Sequence, residues 1–338
     1  MSIFNKFIKN KHPLGLIGPD QHDSRDYLLS SLQPYGVELP QEYNLRTKMG
    51  PIGHQNYGSC TAWGSTALAE YWNRKEYGKI LNLSEKFVYY NIKKISQLHH
   101  IQGDYGRNGL KAICDYGVPL LEDWPDTKDG NWETYIKNQP PKEIYEKAKE
   151  FKGKTYWRVG KTLENFMQAE FQNQCPVAFG MMWYESYRNI KSDGRLPLPS
   201  GKQISGHWMA SAGWEFGEKK WFKNSWSSNW GSNGFFYIPF NEFTKHNIWD
   251  CYVMLDIQKP QAITGWVAEK YIEQGMKFQP GTIIKSTAEP TLRIRKNPTT
   301  LSESMGSLKP GSPATIIVNK DNGIQANGYR WWNIRTIV

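Results

Sequence analysis

The sequence predicts an α+β fold followed by a small all-β module, and three observations predict it. Helical periodicity dominates residues 61–117. After Pro176 the pattern turns to apolar runs separated by Gly-rich or polar turns. Beyond residues 258–261, short β-prone runs alternate with turns such as Asn297-Pro298 and Lys309-Pro310-Gly311.

The elements follow in order. Residues 1–38 read as an irregular leading segment packed on the main domain, because Gly15, Gly18, Pro19 and Pro34 interrupt any long helix. The cluster Asp20, Asp23, Arg25 and Asp26 precedes the apolar Tyr27-Leu28-Leu29. It is either an ion-pair clasp onto the main domain or a solvated charged loop. A helix is expected over residues 61–77, with Ala62, Leu68, Tyr71 and Trp72 on a buried face, Ser59 as N-cap and Gly78 as stop. A second starts at Ser84 and runs through Phe87, Tyr90 and Ile95. A third covers residues 110–116 and ends at Gly117. Strands are expected at residues 177–182, 207–214, 221–224 and 235–238. The main domain is bounded at 39–257, a linker at 258–263 and a C-terminal module at 264–338.

The composition is that of a folded protein: 39 % hydrophobic and 14 % aromatic residues over 338 positions. The 15 Trp fit binding grooves or a large core. The net charge is +10, and half of that excess falls after residue 260. Such a balance favours acidic partners, namely nucleic acid, anionic membrane or anionic cell-wall polymer, or serves solubility alone. The four cysteines, Cys60, Cys114, Cys175 and Cys251, form neither a Cys-x-x-Cys pair nor a dense disulfide pattern. Synthesis in a reducing compartment fits them. No stretch has the ~20 apolar residues of a membrane span. Lys6, Lys9 and Lys11 are not followed by the apolar core of a secretory signal, so cytoplasmic synthesis is expected.

The chemistry centres on Gly58-Ser59-Cys60 at an expected helix start. A cysteine there faces unpaired backbone N–H groups and the positive end of the helix dipole, and both favour the thiolate that attacks carbonyls. Gln55-Asn56-Tyr57-Gly58-Ser59-Cys60-Thr61-Ala62-Trp63 resembles the nucleophile region of papain-like cysteine peptidases. Gly206-His207 far downstream, then Lys223-Asn224-Ser225-Trp226, Trp230-Gly231 and Gly234-Phe235, resemble the later motifs of that family in the same order. Gly18-Pro19-Asp20 with Asp23-Ser24-Arg25-Asp26-Tyr27 resembles the leading segment of its bacterial and phage branch. Asn44-Leu45-Arg46, Leu83-Ser84, Pro176-Val177 and Trp249 also fit that branch. The resemblance covers residues 15–256, without the long inhibitory pro-region of lysosomal members.

The resemblance implies a two-lobed fold, no metal or other cofactor, and defined roles. Cys60 is the nucleophile, His207 its base, and Asn224 orients the imidazole. Trp226 covers that contact. The Cys60 N–H and the Gln55 amide bind the oxyanion. Two departures stand out: the Gln55–Cys60 loop is one residue shorter than usual, so Asn56 competes for the donor role, and Thr61 replaces a frequent Trp. On the substrate side, Asn108-Gly109 resembles the Gly-rich wall of the cleft, Gly206 lies beside the base, and Trp230 flanks the leaving-group side. Each of Asn108, Gly109 and Trp230 has a structural reading as well.

Other reactive residues carry weaker patterns. His99-His100 point apart on a helix, which disfavours a metal pair. His54 neighbours the loop and His246 has no motif. Cys114 lies on an apolar helical face with Leu110 and Ile113, and neither Cys175 nor Cys251 has a base nearby in sequence.

The C-terminal module has its own resemblance. Thr291-Leu292-Arg293-Ile294-Arg295-Lys296-Asn297-Pro298, Gly306-Ser307-Leu308-Lys309-Pro310-Gly311 and Tyr329-Arg330-Trp331-Trp332-Asn333-Ile334 resemble a bacterial SH3-like domain. Its usual closing segment is absent at the end, and residues 264–272 resemble it instead. A circular rearrangement is therefore expected, with that segment pairing into the barrel. Such domains bind cell-wall peptides or glycans, which implies Trp266, Tyr329, Trp331 and Trp332 as wall contacts.

Together these features lead to the expectation of a peptidoglycan endopeptidase, a phage lysin or virion tail component cutting stem peptides or cross-bridges, with peptidoglycan or another peptide as substrate. Alternatives are a general or virion-processing protein peptidase and a non-catalytic wall-binding structural protein. Nucleic-acid binding has no motif and is excluded on that ground.

Overall fold

The computed structural model describes residues 12–23, 26–32, 36–126 and 131–255, and beyond them 262–268, 283–285, 287, 292–297, 304–308, 313–318, 324–326 and 329–337. The chain divides into two compact units, Met1–Asp256 and Ile257–Val338.

The first unit places helices ahead of most of its strands. After a single helical turn α1 (Leu29–Leu32) and a two-residue strand β1 (Tyr43–Asn44) come α2 (Cys60–Tyr77), α3 (Glu85–Ser96), α4 (Gly106–Tyr116), α5 (Trp132–Lys137) and α6 (Lys142–Ala148). Helix α2 ends at Gly78 (φ 71°), whose N–H reaches the Arg74 carbonyl. Its start differs from expectation, since the Ser59 side chain makes no cap. The Ser59 N–H closes a tight turn onto the Tyr57 carbonyl at 2.7 Å. That turn holds Ser59 at φ −103°, ψ 18°, away from the extended backbone that a capping hydroxyl needs. Helix α2 is buried on nearly every side, and small residues let neighbours approach: a Cβ on Gly64 would meet Trp208 and Met209. At α3 the Ser84 hydroxyl does cap, accepting the Phe87 N–H at 3.2 Å. Helix α4 begins a turn before the expected residue 110. Glycine and asparagine in that turn carry no helical signal, and packing of Gly106 against the Trp208 ring holds it instead.

The remaining elements are β2 (Thr155–Val159), α7 (Leu163–Asn173), β3 (Ala178–Tyr184), β4 (Gln203–Glu215), β5 (Lys219–Lys223), β6 (Phe235–Pro239) and β7 (Ile248–Leu255). The strands form one antiparallel sheet in the order β2-β7-β3-β4-β5-β6, with β1 added on β4. Strand β4 is central and almost wholly buried, and α2 packs against it. Trp157, Trp183, Trp208 and Trp214 are fully buried, so much of the tryptophan content builds core. A buried ion pair, Lys220–Glu170 at 2.7 Å, ties β5 to α7, and the same ammonium donates to the Gly213 carbonyl at 3.0 Å.

The regular elements among the described residues of the second unit are strands: β8 (Ala262–Ala268), β9 (Ile283–Lys285), β10 (Leu292–Arg295), β11 (Ser304–Leu308), β12 (Pro313–Val318), β13 (Ile324–Ala326) and β14 (Tyr329–Ile337). The order is β11-β10-β8-β14-β12-β9, with β13 on β14. Strand β8 carries part of the segment expected to close the barrel. It pairs antiparallel with β14 from Trp331↔Ala268 to Ile337↔Ala262 and meets β10 at Arg295↔Trp266. Residues 269–272 lie outside the described residues, as do the side chains of Trp266, Tyr329, Trp331 and Trp332.

Candidate active site

Cys60 is the first residue of α2 and is fully buried. The backbone N–H groups of Trp208, Gly15, Thr61 and Cys60 itself favour its thiolate form. Helix α2 packs against β4, the strand that carries His207. Burial still dominates and pushes the thiol up to about 12.

His207 and Asn224 come from adjoining strands. Strand β4 carries the histidine, and the asparagine follows the last residue of β5. His207 Nε2 lies 2.8 Å from Asn224 Oδ1. The same oxygen accepts the Ser225 N–H at 2.8 Å, which fixes the amide with its carbonyl end toward the ring. Nε2 must then carry the proton, leaving Nδ1 as the basic nitrogen. Nδ1 is buried and has no hydrogen-bond partner among the described residues. Trp226 stacks on His207 with centroids 4.7 Å apart and planes 16° from parallel, and Trp183 meets the ring edge-on at 5.2 Å. Desolvation lowers the imidazole to about 4. Burial therefore favours the uncharged form of each group, a thiol at Cys60 and a neutral imidazole at His207.

Gln55 is buried and held at both ends. Its Nε2 donates to the Pro13 carbonyl at 2.8 Å and to the Tyr57 carbonyl at 3.0 Å. Its Oε1 accepts the Ser225 hydroxyl, and its backbone N–H donates to the Ser225 carbonyl at 2.9 Å. Asn56 is exposed. Ser225, unremarked in the sequence apart from its motif, thus joins the amide to the Asn224–His207 pair.

The leading segment runs through this site. The Pro13 carbonyl accepts from Gln55 and from the Trp226 indole N–H at 3.2 Å. His12 stacks on Trp226 at 4.8 Å. The Gly15 carbonyl accepts the Asp104 N–H at 2.8 Å, the Leu16 N–H donates to the Gly206 carbonyl at 3.1 Å, and the Ile17 N–H donates to the Asp104 carbonyl at 3.2 Å. Leu16 therefore bridges Asp104 in parallel and Gly206 in antiparallel sense. Residue 15 has to be glycine, because a Cβ there would lie 1.9 Å from the Gly58 carbonyl oxygen.

Farther on, the acidic cluster forms a clasp rather than a solvated loop. Asp20 accepts the Arg107 N–H at 3.2 Å and the Tyr252 hydroxyl at 3.2 Å, and its own N–H reaches Asp250. Asp26 pairs with Arg107 at 2.7 Å and Arg158 at 3.1 Å. Asp23 stands 3.8 Å from Arg107, while Arg25 lies outside the described residues. Burial, with Asp250 alongside, raises Asp20 to about 6.

The expected substrate residues separate into two groups. Gly206 and Trp226 touch the leading segment. Asn108 donates to Asp104 Oδ1 at 2.7 Å, at the start of its own helix, and a Cβ on Gly109 would strike the Thr61 carbonyl and Ser65, so Gly109 lets α4 approach α2 closely. The backbone beside the segment belongs instead to Gly103 and Asp104. Asp104 is buried and anchored by Lys93 at 3.2 Å and Ser96 at 2.7 Å. A glycine preceding an acid, as in Gln102-Gly103-Asp104, was the available signal. Trp230 is buried edge-on to Trp226 at 5.3 Å. Of the other histidines, His54 pairs through its backbone with Trp226, and His246 meets the Tyr187 hydroxyl at 2.7 Å. All four cysteines are buried and free.

Comparison with known proteins gives a consistent picture. The model of the papain family cysteine proteases matches residues 39–254. An uncharacterized peptidase C1-like protein from Acanthamoeba polyphaga mimivirus is 26 % identical over 239 residues, covering 66 % of this chain and 73 % of that protein. Among solved structures, xylellain, a cysteine protease from Xylella fastidiosa, superposes with a TM-score of 0.62 at 24 % identity, over 74 % of this chain and 98 % of that one. Procathepsin L 3 of Tenebrio molitor larval midgut gives 0.56 at 17 % identity, over 74 % and 78 %. The chain belongs to the papain family of cysteine peptidases.

Proposed function

We propose that this peptidase cleaves amide bonds through Cys60, His207, Asn224 and Gln55, and that the leading segment keeps it latent. The observations that support the reading are the His207 ring, tethered at Nε2 by Asn224 and with its basic Nδ1 without a hydrogen-bond partner among the described residues, and a thiol at the start of a helix that packs on the strand carrying His207. Once the segment leaves, water and the helix dipole favour charge separation, and Nδ1 takes the thiol proton. The thiolate adds to the scissile carbonyl, forming the S–C bond. Gln55 Nε2, released from Pro13, and the Cys60 N–H receive the oxyanion. The C–N bond breaks as Nδ1–H protonates the leaving amine. Water then hydrolyses the thioester with the same nitrogen as base. Asn224 holds the ring on course throughout.

For the substrate, the finer reading is a peptidoglycan endopeptidase of phage lysin or tail-associated type, its second unit an SH3-like wall-binding module using Trp266, Tyr329, Trp331 and Trp332. The separate unit of strands and the basic excess of the last quarter support it. The pairing of an ordinary extended peptide, residues 15–17, with the backbone of Asp104 and Gly206 supports a second reading, a protein peptidase. One experiment tests both. Purified protein and Cys60→Ala are incubated with bacterial walls and with casein, and new amino groups are mapped by mass spectrometry. Wall cleavage by the unsubstituted protein alone establishes the first reading. Casein cleavage without wall cleavage establishes the second. Equal release by Cys60→Ala removes Cys60 from the chemistry.

A further inference from the structure

Helix α3 joins two strips of backbone beside the leading segment with a single hydroxyl. Tyr89 is fully buried in the middle of that helix. Its hydroxyl donates to the Gly58 carbonyl at 3.2 Å and accepts the Gly103 N–H at 3.0 Å. Burial holds the phenol well above its ordinary range, so the oxygen keeps the proton it donates. The Gly58 N–H in turn donates to Gln102 Oε1 at 3.1 Å. The carbonyl and the N–H of Gly58 are thus both tied to the loop between α3 and α4, one through Tyr89 and one through Gln102.

That loop is fixed from the same helix. Lys93, one turn after Tyr89 and also fully buried, donates to the Ile101 carbonyl at 3.1 Å, to Asp104 Oδ2 at 3.2 Å and to the Gly103 carbonyl. The two tied strips flank residue 15 of the leading segment. A Cβ on Gly15 would strike the Gly58 carbonyl oxygen, and a Cβ on Gly103 would lie 2.5 Å from the Gly15 carbonyl oxygen. One strip leads within two residues to Cys60, and the other pairs with the segment through Asp104. A phenylalanine at position 89 would fill the same space and tie neither strip.

We propose that Tyr89, together with Gln102, is a positioning residue that sets the distance between the backbone holding an extended peptide and the loop carrying the Cys60 sulfur. The inference rests on the peptidase reading and deepens it. A peptide grips Asp104 with or without the tie. What the tie supplies is alignment of the gripped chain with the sulfur, the kind of orientation on which rate depends steeply.

The test uses the full chain carrying Leu16→Asp, which puts a carboxylate at a buried position to lift the segment. Tyr89→Phe and Gln102→Leu are made in that background, with melting curves for each. Cys60 is alkylated by two reagents of one chemistry, in which sulfur bonds the reagent's methylene carbon and halide leaves. Iodoacetamide has no peptide to grip. Acetyl-leucyl-glycyl chloromethyl ketone carries the Leu-Gly pair of residues 14 and 15, so its rate reports alignment as well as reactivity. Both rates are followed by mass spectrometry, and neither depends on turnover. We expect Tyr89→Phe to lower the ratio of ketone to iodoacetamide rates about tenfold, and Gln102→Leu to lower it about threefold. The iodoacetamide rate itself should change little. Loss of packing alone would shift both rates together. An unchanged ratio in a folded variant of either kind overturns the proposal and leaves the peptidase reading standing. A Cys60 that reacts with neither reagent overturns both.

Discussion

The Leu16 N–H donates to the carbonyl of Gly206 at 3.1 Å, one residue before His207. That strand-like bond lays the leading segment along the backbone beside the proposed base. In the proposed reading the segment occupies the place of substrate, and Cys60 is fully buried while it is seated.

The first prediction concerns that seal. Leu16→Asp places a carboxylate in a closed pocket, which is costly without a paired charge. Cys60 alkylation at pH 7 is expected to rise at least about tenfold as the segment lifts. The rate is followed by mass spectrometry, and an unchanged rate in a folded variant rejects the seal.

A second prediction isolates Ser225. Its hydroxyl holds Gln55 Oε1, leaving Nε2 to face the cleft. Loss of an oxyanion donor costs about 10²–10³ in kcat. In a Leu16→Asp background, Ser225→Ala is expected to lower kcat about tenfold with KM little changed. The effect should shrink when Gln55 is already alanine, because both changes disable one donor. Full additivity would assign Ser225 a separate role.

These two residues illustrate how much was legible. The Cys60, His207 and Asn224 motifs lie in short contiguous strings whose residue types report their chemistry, and Gln55 could be named despite its shortened loop. Ser225 stood inside one of those strings, but its partner Gln55 is 170 positions away, and no local pattern records such a bond. Asp104 and Leu16 were hidden for the same reason. Their pairing is backbone to backbone, which residue type does not encode. The first turn of α4 was missed because Gly106 and Asn108 are poor helix formers that packing holds in place.

The third prediction is a pH profile with two opposing contributions. His207 is lowered from 6.5 to about 4 in the closed form. Its contribution to closure is full above 6.5 and is lost as pH falls toward 4. Asp20 is raised from 3.8 to about 6 among Asp250, Arg107, Arg158, Asp26 and Tyr252. Its contribution is full below 3.8 and is lost as pH rises through 6. The two nearly cancel between pH 4 and 6. Hydrogen exchange of the Leu16 N–H, corrected for its intrinsic rate, should therefore vary little over that range in the unsubstituted chain. In Asp20→Asn only the histidine contribution remains, and exchange should accelerate steadily with acid. A flat profile in that variant contradicts the assignment.

A fourth prediction tests the scaffold. Lys220→Met leaves the Glu170 carboxylate buried without its cation. The expected loss is about 3–5 kcal/mol, measured by urea unfolding. Pairing it with Glu170→Leu should recover much of that loss, since two apolar groups then meet where two charges did.

The clasp of Asp20 and Asp26 on Arg107 and Arg158 lends the leading segment a second job. Arg107 belongs to a helix and Arg158 to a strand of the sheet, so the acidic stretch buckles one to the other. In the intact chain the two let go together, and only a break in the chain between them separates unplugging from unbuckling. A cut between Ile17 and Asp20 would free the stopper over the sulfur yet leave the buckle fastened, producing an enzyme that is uncovered but still braced.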